Sequence, residues 1–180
     1  MTKQDYRRTY KSLVRSELSA QHRSRVSLLV AEAVQALIRP EHRHIGLYMA
    51  MHDEPDLEPL LLDLATKHRV YLPRVEGERD MNFYAFEQLD TLERAGKYQI
   101  LEPTTLDAPI EPSLLDLIIV PAMAFDSLGF RLGRGKGYYD RYLAQTQAKT
   151  IGVSLGLMHI DQLPRDPWDL PMDEVVRVRL

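Results

Sequence analysis

Cysteine is absent from the 180 residues, which excludes disulfides, thiolate metal sites and cysteine nucleophiles together and suits a reducing compartment. No apolar run is long enough to span a bilayer, and the charged stretch MTKQDYRRTYKSLVRSEL has no signal-peptide core. A cytoplasmic protein without membrane contact is therefore expected. Positive charge is not in excess either. The formal net charge is -3, so no bulk cationic field would hold the chain on nucleic acid, and any cationic site must be local. Glycine is sparse at nine residues, yet four of them, Gly129, Gly133, Gly135 and Gly137, crowd into GFRLGRGKGYYDRYL.

What is present is the composition of one folded domain. With 44% hydrophobic and 27% charged residues, a chain of this length encloses one full core and is short for two, so residues 1–180 are expected to form a single domain. Tyr6, Tyr10, Leu13, Val14 and Leu18 recur at helical spacing and predict a helix over 4–18. A second helix, AQHRSRVSLLVAEAVQALI, follows the N-cap candidate Ser19 and stops before Pro40. HIGLYMAM, residues 44–51, reads as a buried strand; the acidic loop HDEPD leads into a helix over 57–68, with Asp56 as its cap and Pro59 in its first turn. RVYLP and MNFYAF read as further strands. The region 87–113 carries little pattern beyond a short strand YQILEP and a proline-rich loop. LLDLIIVP, residues 114–121, has the near-continuous aliphatic character of a central parallel strand covered on both faces. The glycine loop, a helix YYDRYLAQTQ and a strand TIGVSL follow it. This alternation predicts an α/β fold with a largely parallel sheet, whose ligands bind beyond the carboxyl ends of the strands.

The glycine loop lies at such an end and fails both common nucleotide signatures. Phe130 stands where a P-loop begins and Gly137 where its hydroxyl belongs; Gly133 and Gly135 begin a dinucleotide fingerprint that Tyr138 ends. The shared physics survives, because glycines admit an anion to backbone amides, and Arg131, Arg134 and Lys136 alternate with them. That pattern between a buried strand and a helix favours a phosphate site over a solvated turn. Lys11 and Arg15 share one face of the first helix, but two cations there describe a wet helix face equally well. Asp140 fits either a dipole-stabilising first-turn carboxylate or a ligand for a hard cation. In HDEPD, Asp56 suits a cap and Glu54 is free to accept paired donors from a heterocycle. GVSLG matches a nucleophile elbow formally, but the acid and then histidine that should follow are lacking, since only His159 comes later. His42 and His44 have no matching carboxylate cluster for zinc.

The stretch VPAMAFDSLGFRLGRGKGYYDRYL, residues 120–143, resembles the signature of the 5-formyltetrahydrofolate cyclo-ligases, with Pro121, Phe125 and Asp126 followed by Arg131 to Asp140 without a gap. KSLVRSEL is similar to that family's N-terminal K-x-x-x-R helix, LYMAMHDEPD to its folate-pocket strand and loop, and WDLPMDEVV to its C-terminal segment. Together these cover nearly the whole chain. At Tyr98, where some relatives carry tryptophan, no contact is assigned. The resemblance implies a three-layer α/β/α sandwich and an ATP- and Mg²⁺-dependent closure of 5-formyltetrahydrofolate to 5,10-methenyltetrahydrofolate. It further implies that Lys11 and Arg15 bind ATP phosphates with Arg131, Gly133, Arg134, Gly135, Lys136, Gly137, Tyr138 and Tyr139. Arg134, Lys136 and Tyr138 would be the catalytic groups, also touching substrate. Met49 and Glu54 would line the folate pocket, and Asp140 and Asp173 would hold Mg²⁺. A monomer is expected. Two other classes stay open on residues alone: a phosphate-binding isomerase or acyl-transfer enzyme on a similar sheet, and a non-catalytic nucleotide- or RNA-binding module, which the acidic net charge disfavours.

Overall fold

The computed structural model describes residues 1–95, 99–104 and 107–178, so Tyr98 lies outside the described residues. Helix α1 (Lys3–Glu17) opens on a capping box in which Thr2 and Asp5 each satisfy the other's backbone N–H. Helix α2 (Ala20–Leu37) is capped as expected by Ser19, whose Oγ accepts the His22 N–H at 3.0 Å. Strand β1 (His44–Gly46) is shorter than the apolar run suggests. Leu47 still donates to the Tyr71 carbonyl at 2.9 Å, and then the chain leaves the ladder to build the acidic loop. Helix α3 (Glu58–Ala65) follows; its N-cap is Leu57, and Asp56 contributes one step earlier by accepting the Glu58 N–H at 3.2 Å.

Strands β2 (Arg69–Glu76) and β3 (Asp80–Ala85) form an antiparallel hairpin. The poorly patterned region contains a separate hairpin of β4 (Leu92–Ala95) and β5 (Ile100–Pro103). Strand β6 (Leu117–Pro121) is the aliphatic strand, and β7 (Ala124–Phe125) pairs with β8 (Arg131–Leu132) beyond its end. Helix α4 (Tyr138–Leu143) stops well before Gln147, and β9 (Lys149–Val153) and β10 (Glu174–Val176) complete the sheet.

The six-stranded order is β10-β9-β6-β1-β2-β3, parallel throughout except for the β2–β3 edge. Alternation along β6 separates two cores. Leu117 and Ile119 pack with Val26, Val30 and Val34 of α2 and Leu61 and Leu64 of α3; Ile118 and Val120 pack with Phe83 and with Tyr142 and Leu143 of α4. Helices thus cover both faces of the sheet, which gives the three layers. Tyr10 of α1, fully buried, sits in a third cluster with Met123, Ala124 and Leu132 of the β7–β8 region, beyond the strand ends. Among the described residues no helix is long and apolar enough to cross a membrane.

The GVSLG match to a nucleophile elbow dissolves into packing. A Cβ at Gly152 would lie 2.5 Å from the Phe125 ring and 3.0 Å from Met172. The aromatic of the Phe-Asp pair therefore needs a glycine on β9 to lie flat against the sheet. Gly152→Ala is expected to lower stability by about 1–3 kcal/mol through overpacking, read as a reduced urea midpoint with unchanged m-value; wild-type stability would disprove the close packing.

Candidate active site

A cleft of about 680 Å³ opens where β1, β2 and β6 end. One side is apolar, with Tyr48, Met49, Pro73, Val75, Met81 and Ala122 on its walls; the other is the glycine loop between β8 and α4. This is the carboxyl-end crevice that a parallel sheet offers.

The loop is shaped by its glycines and tied to α1. Gly135 and Gly137 have φ of +99° and +70°, a conformation in which a side chain would be strained. A Cβ at Gly135 would also meet the Arg7 guanidinium at 3.3 Å. Arg7 Nε donates to the Gly133 carbonyl at 2.8 Å, fastening the helix to the loop.

Arg134 leaves the loop to clamp the acidic turn. Its Nη2 lies 2.5 Å from Asp53 Oδ1 and 2.9 Å from Glu54 Oε1, and both carboxylates are buried. Burial works against the Arg134 charge, but the bonds to Asp53 and the nearby Glu54 outweigh it and hold the guanidinium above its ordinary pKa. The other Glu54 oxygen accepts the Met51 N–H at 3.0 Å, so this carboxylate is occupied on both sides. The same turn is held from outside by Tyr10, whose hydroxyl donates to the Asp53 carbonyl at 2.8 Å, and by Arg23, which donates to the Met51 and Glu54 carbonyls. Burial and the adjoining Asp53 raise the Tyr10 phenol's pKa far above normal, so it stays a donor.

Arg131 is likewise paired, its Nη2 2.7 Å from Asp140 Oδ1 and its guanidinium 5.4 Å from the centre of the Tyr139 ring. Arg131 lines the cleft, and its Nε is buried behind that wall with no hydrogen-bond partner. Burial also keeps the Tyr139 hydroxyl protonated. Lys136 differs from both arginines: it is exposed on the cleft rim and makes no ion pair among the described residues. Arg7 also has no carboxylate partner there, whereas Lys3 is held between Asp166 and Asp169 at 2.7 and 2.5 Å.

Of the residues singled out in the sequence, the cleft gathers Met49, Glu54, Arg131, Gly133, Arg134, Gly135, Lys136, Gly137, Tyr138, Tyr139 and Asp140. Lys11 and Arg15 are not among them; both are exposed and outside the cleft, and α1 presents Lys3 and Arg7 instead. KQDYR and KSLVR fit K-x-x-x-R equally, and only the first copy lines the cleft. Asp173 is also elsewhere. Its Oδ2 accepts the Thr150 N–H and hydroxyl at 2.7 and 2.8 Å, a brace between β9 and the segment before β10, in a separate depression past the end of α4. It therefore does not join Asp140 in the cleft, and among the described residues no group of three or more His, Asp or Glu is arranged around a metal.

The remaining signature residue is architectural. Asp126 is fully buried; its Oδ1 accepts the Leu128 and Phe130 N–H groups and its Oδ2 the Leu163 N–H, all at 3.0 Å. One side chain thus fixes the turn into β8 and the returning C-terminal segment.

With this geometry in hand, similarity to known proteins can be weighed. The family model described as "5-formyltetrahydrofolate cyclo-ligase family" matches residues 1–178. The chain belongs to that family. It is 29% identical to the 5-formyltetrahydrofolate cyclo-ligase of Mus musculus over 174 residues, covering 88% of this chain and 85% of the mouse protein. An NMR structure of the Aquifex aeolicus 5,10-methenyltetrahydrofolate synthetase superposes with a TM-score of 0.84 at 33% identity, covering 98% of this chain and 90% of that one. The 5,10-methenyltetrahydrofolate synthetase of Mycoplasma pneumoniae gives 0.76 at 25% identity, with 97% and 98% covered.

In this cyclo-ligase-family chain, breaking the Arg134 clamp from one side is costly, because truncation strands two buried carboxylates. Arg134→Ala is expected to lose about 3 kcal/mol in urea unfolding, and adding Asp53→Asn to restore part of it. A loss that Asp53→Asn deepens would contradict the clamp.

Proposed function

We propose that this enzyme closes 5-formyltetrahydrofolate to 5,10-methenyltetrahydrofolate at the expense of ATP, releasing ADP and phosphate. The formyl oxygen attacks the γ-phosphorus as the bond to ADP breaks; N10 then attacks the activated carbon and gives up its proton to solvent, and the C–O bond breaks as phosphate departs. Little of this is covalent work for the protein. It has to hold two ligands in line and neutralise moving phosphate charge.

The observation that carries the reading is the distribution of committed and uncommitted cations. Lys136 and Arg7 have no carboxylate partners and flank a bare-backbone loop, while the neighbouring arginines are already neutralised. An incoming polyanion meets free positive charge without displacing an acid. In this reading Lys136 bears the transferred charge, Tyr138 orients the reacting atoms, and Arg134, fixed by its acids, faces the substrate. Gly133, Gly135, Gly137 and Tyr139 shape the nucleotide cradle, and Met49 lines the folate side. Lys3 and Arg7 take the place on α1 first given to Lys11 and Arg15. Asp140 fits Mg²⁺, since no described residue donates to its Oδ2; a bound Mg²⁺ supplies charge neutralisation on phosphate oxygens and needs few protein ligands. The cysteine-free chain suits a cytoplasmic enzyme.

The test is formation of the ultraviolet-absorbing methenyl product from 5-formyltetrahydrofolate and MgATP. Product is expected only with all components, and a rate independent of ATP would instead support an isomerase or acyl-transfer class. Lys136→Ala should reduce kcat by about 1000-fold with an unchanged circular dichroism spectrum. Arg7→Ala should raise the KM for ATP about tenfold, while the Lys11→Ala, Arg15→Ala double variant should leave it unchanged; the reverse pattern would move the phosphate contacts two turns along α1.

A further inference from the structure

At one end of the cleft a tight turn holds out the chain's single tryptophan. Asp166, Pro167, Trp168 and Asp169 form a β-turn in which the Asp169 N–H donates to the Asp166 carbonyl at 3.0 Å, and the Asp166 N–H donates to Asp169 Oδ2 at 2.7 Å. The sequence accounts for the turn, since aspartate suits its first position and proline its second. Nothing in that chemistry asks for an indole at the third. Trp168 is 66% exposed and belongs to none of the three buried clusters, although a packed tryptophan brings a core more apolar area than almost any other side chain. Of the large apolar side chains left exposed among the described residues, only Trp168 and Met1 line the cleft.

The turn is fixed against the phosphate side of the cleft. Both of its carboxylates grip Lys3, at 2.7 and 2.5 Å, and the Arg165 guanidinium just before it lies 3.9 Å from the centre of the Phe130 ring. Lys3 is matched there by two acids, so free positive charge begins one helical turn further on, at Arg7, and continues across the glycine loop to Lys136. A nucleotide whose triphosphate is drawn to those two cations presents its uncharged end, the base, to the turn. The opposite end of the cleft is a different surface: Pro73, Val75 and Met81 lie over the β2–β3 edge of the sheet, whereas the turn leads into β10 at the other edge. We infer that Trp168 is the base-stacking residue of the nucleotide site, its indole lying on one face of the purine, with Pro164 adding apolar surface beside it. This assignment rests on the ATP reading of the cleft. Stacking on a ring face needs no hydrogen bond, which suits a turn whose carboxylates are committed to Lys3.

Because Trp168 is the only tryptophan, its fluorescence reports on this end of the cleft alone. Emission is excited at the red edge of indole absorption, where adenine is transparent, and followed during titration with MgATP and with magnesium tripolyphosphate; calorimetry measures the affinity of both for wild type, Trp168→Ala and Trp168→Phe. MgATP is expected to quench the emission saturably at the midpoint that calorimetry gives, while tripolyphosphate binds and leaves the emission nearly unchanged. Trp168→Ala should weaken MgATP binding about 5- to 100-fold and tripolyphosphate binding by less than about twofold. Trp168→Phe, which keeps a stacking face, should restore most of the MgATP affinity. A merely structural turn residue would cost both ligands equally in the Ala variant; that result overturns the assignment, as does MgATP affinity unchanged by Trp168→Ala. Emission that, corrected for absorption, answers to 5-formyltetrahydrofolate and not to MgATP would place the other substrate at this end and overturn it too. Failure of wild type to bind MgATP would instead sink the ATP reading, and this assignment with it.

Discussion

Two buried carboxylates sharing one guanidinium set the terms for the rest of the cleft. Asp53 and Glu54 lie in the turn after β1, Arg134 in the loop after β8, and their bonds of 2.5 and 2.9 Å join segments 80 residues apart in sequence. Neither carboxylate tolerates burial without that partner. The pairing therefore fixes how the glycine loop sits over the sheet, and the surroundings reinforce it. Tyr10 and Arg23 bond the carbonyls of the same turn, so α1 and α2 are both registered to it. A site built this way depends on helix packing on one side and on a loop of little intrinsic structure on the other.

Asp126 solves the complementary problem of bringing the chain back. Its three backbone donors come from two places, Leu128 and Phe130 in its own turn and Leu163 in the C-terminal segment, and Arg177 donates to its carbonyl at 2.6 Å. The segment so anchored runs past the cleft mouth, where Asp166 and Asp169 take hold of Lys3 at the start of α1. The two ends of the described chain are thereby joined across the cleft. Phe125, next to Asp126, completes the anchor by packing on Gly152 of the motif that resembles a nucleophile elbow, whose Ser154 does not line the cleft.

What could be read from sequence follows from which interactions are local. The aliphatic run of β6, the Ser19 cap and the alternation of strands and helices express nearby preferences, and the layered parallel sheet was legible from them. The bare-backbone conformation of the glycine loop was legible because positive φ shows directly as glycines. Register against distant elements was not. Lys3–Arg7 and Lys11–Arg15 repeat one pattern on one helix, and only the Arg7 bond to Gly133 distinguishes them. Asp173 carries no local sign that Thr150 claims it, and Glu54 none that Met51 and Arg134 use both its oxygens.

These points combine in the electrostatics of the cleft. A phosphate site whose cations were all free would repel itself when empty and close on any anion; one whose cations were all paired would have to break an ion pair to bind. Here the division is spatial. Arg131 and Arg134 are held by carboxylates and serve as fixed walls, whereas Lys136 and Arg7 stand unpaired at the rim and beneath the loop. Fixed dipoles and charges lower a barrier because they need no rearrangement as charge develops, and the acids that hold the arginines supply that fixity. Asp140 is matched by Arg131, while Asp53 and Glu54 share Arg134 and keep one negative charge between them, so Lys136 and Arg7 are the unpaired cations that an anion at the rim would meet.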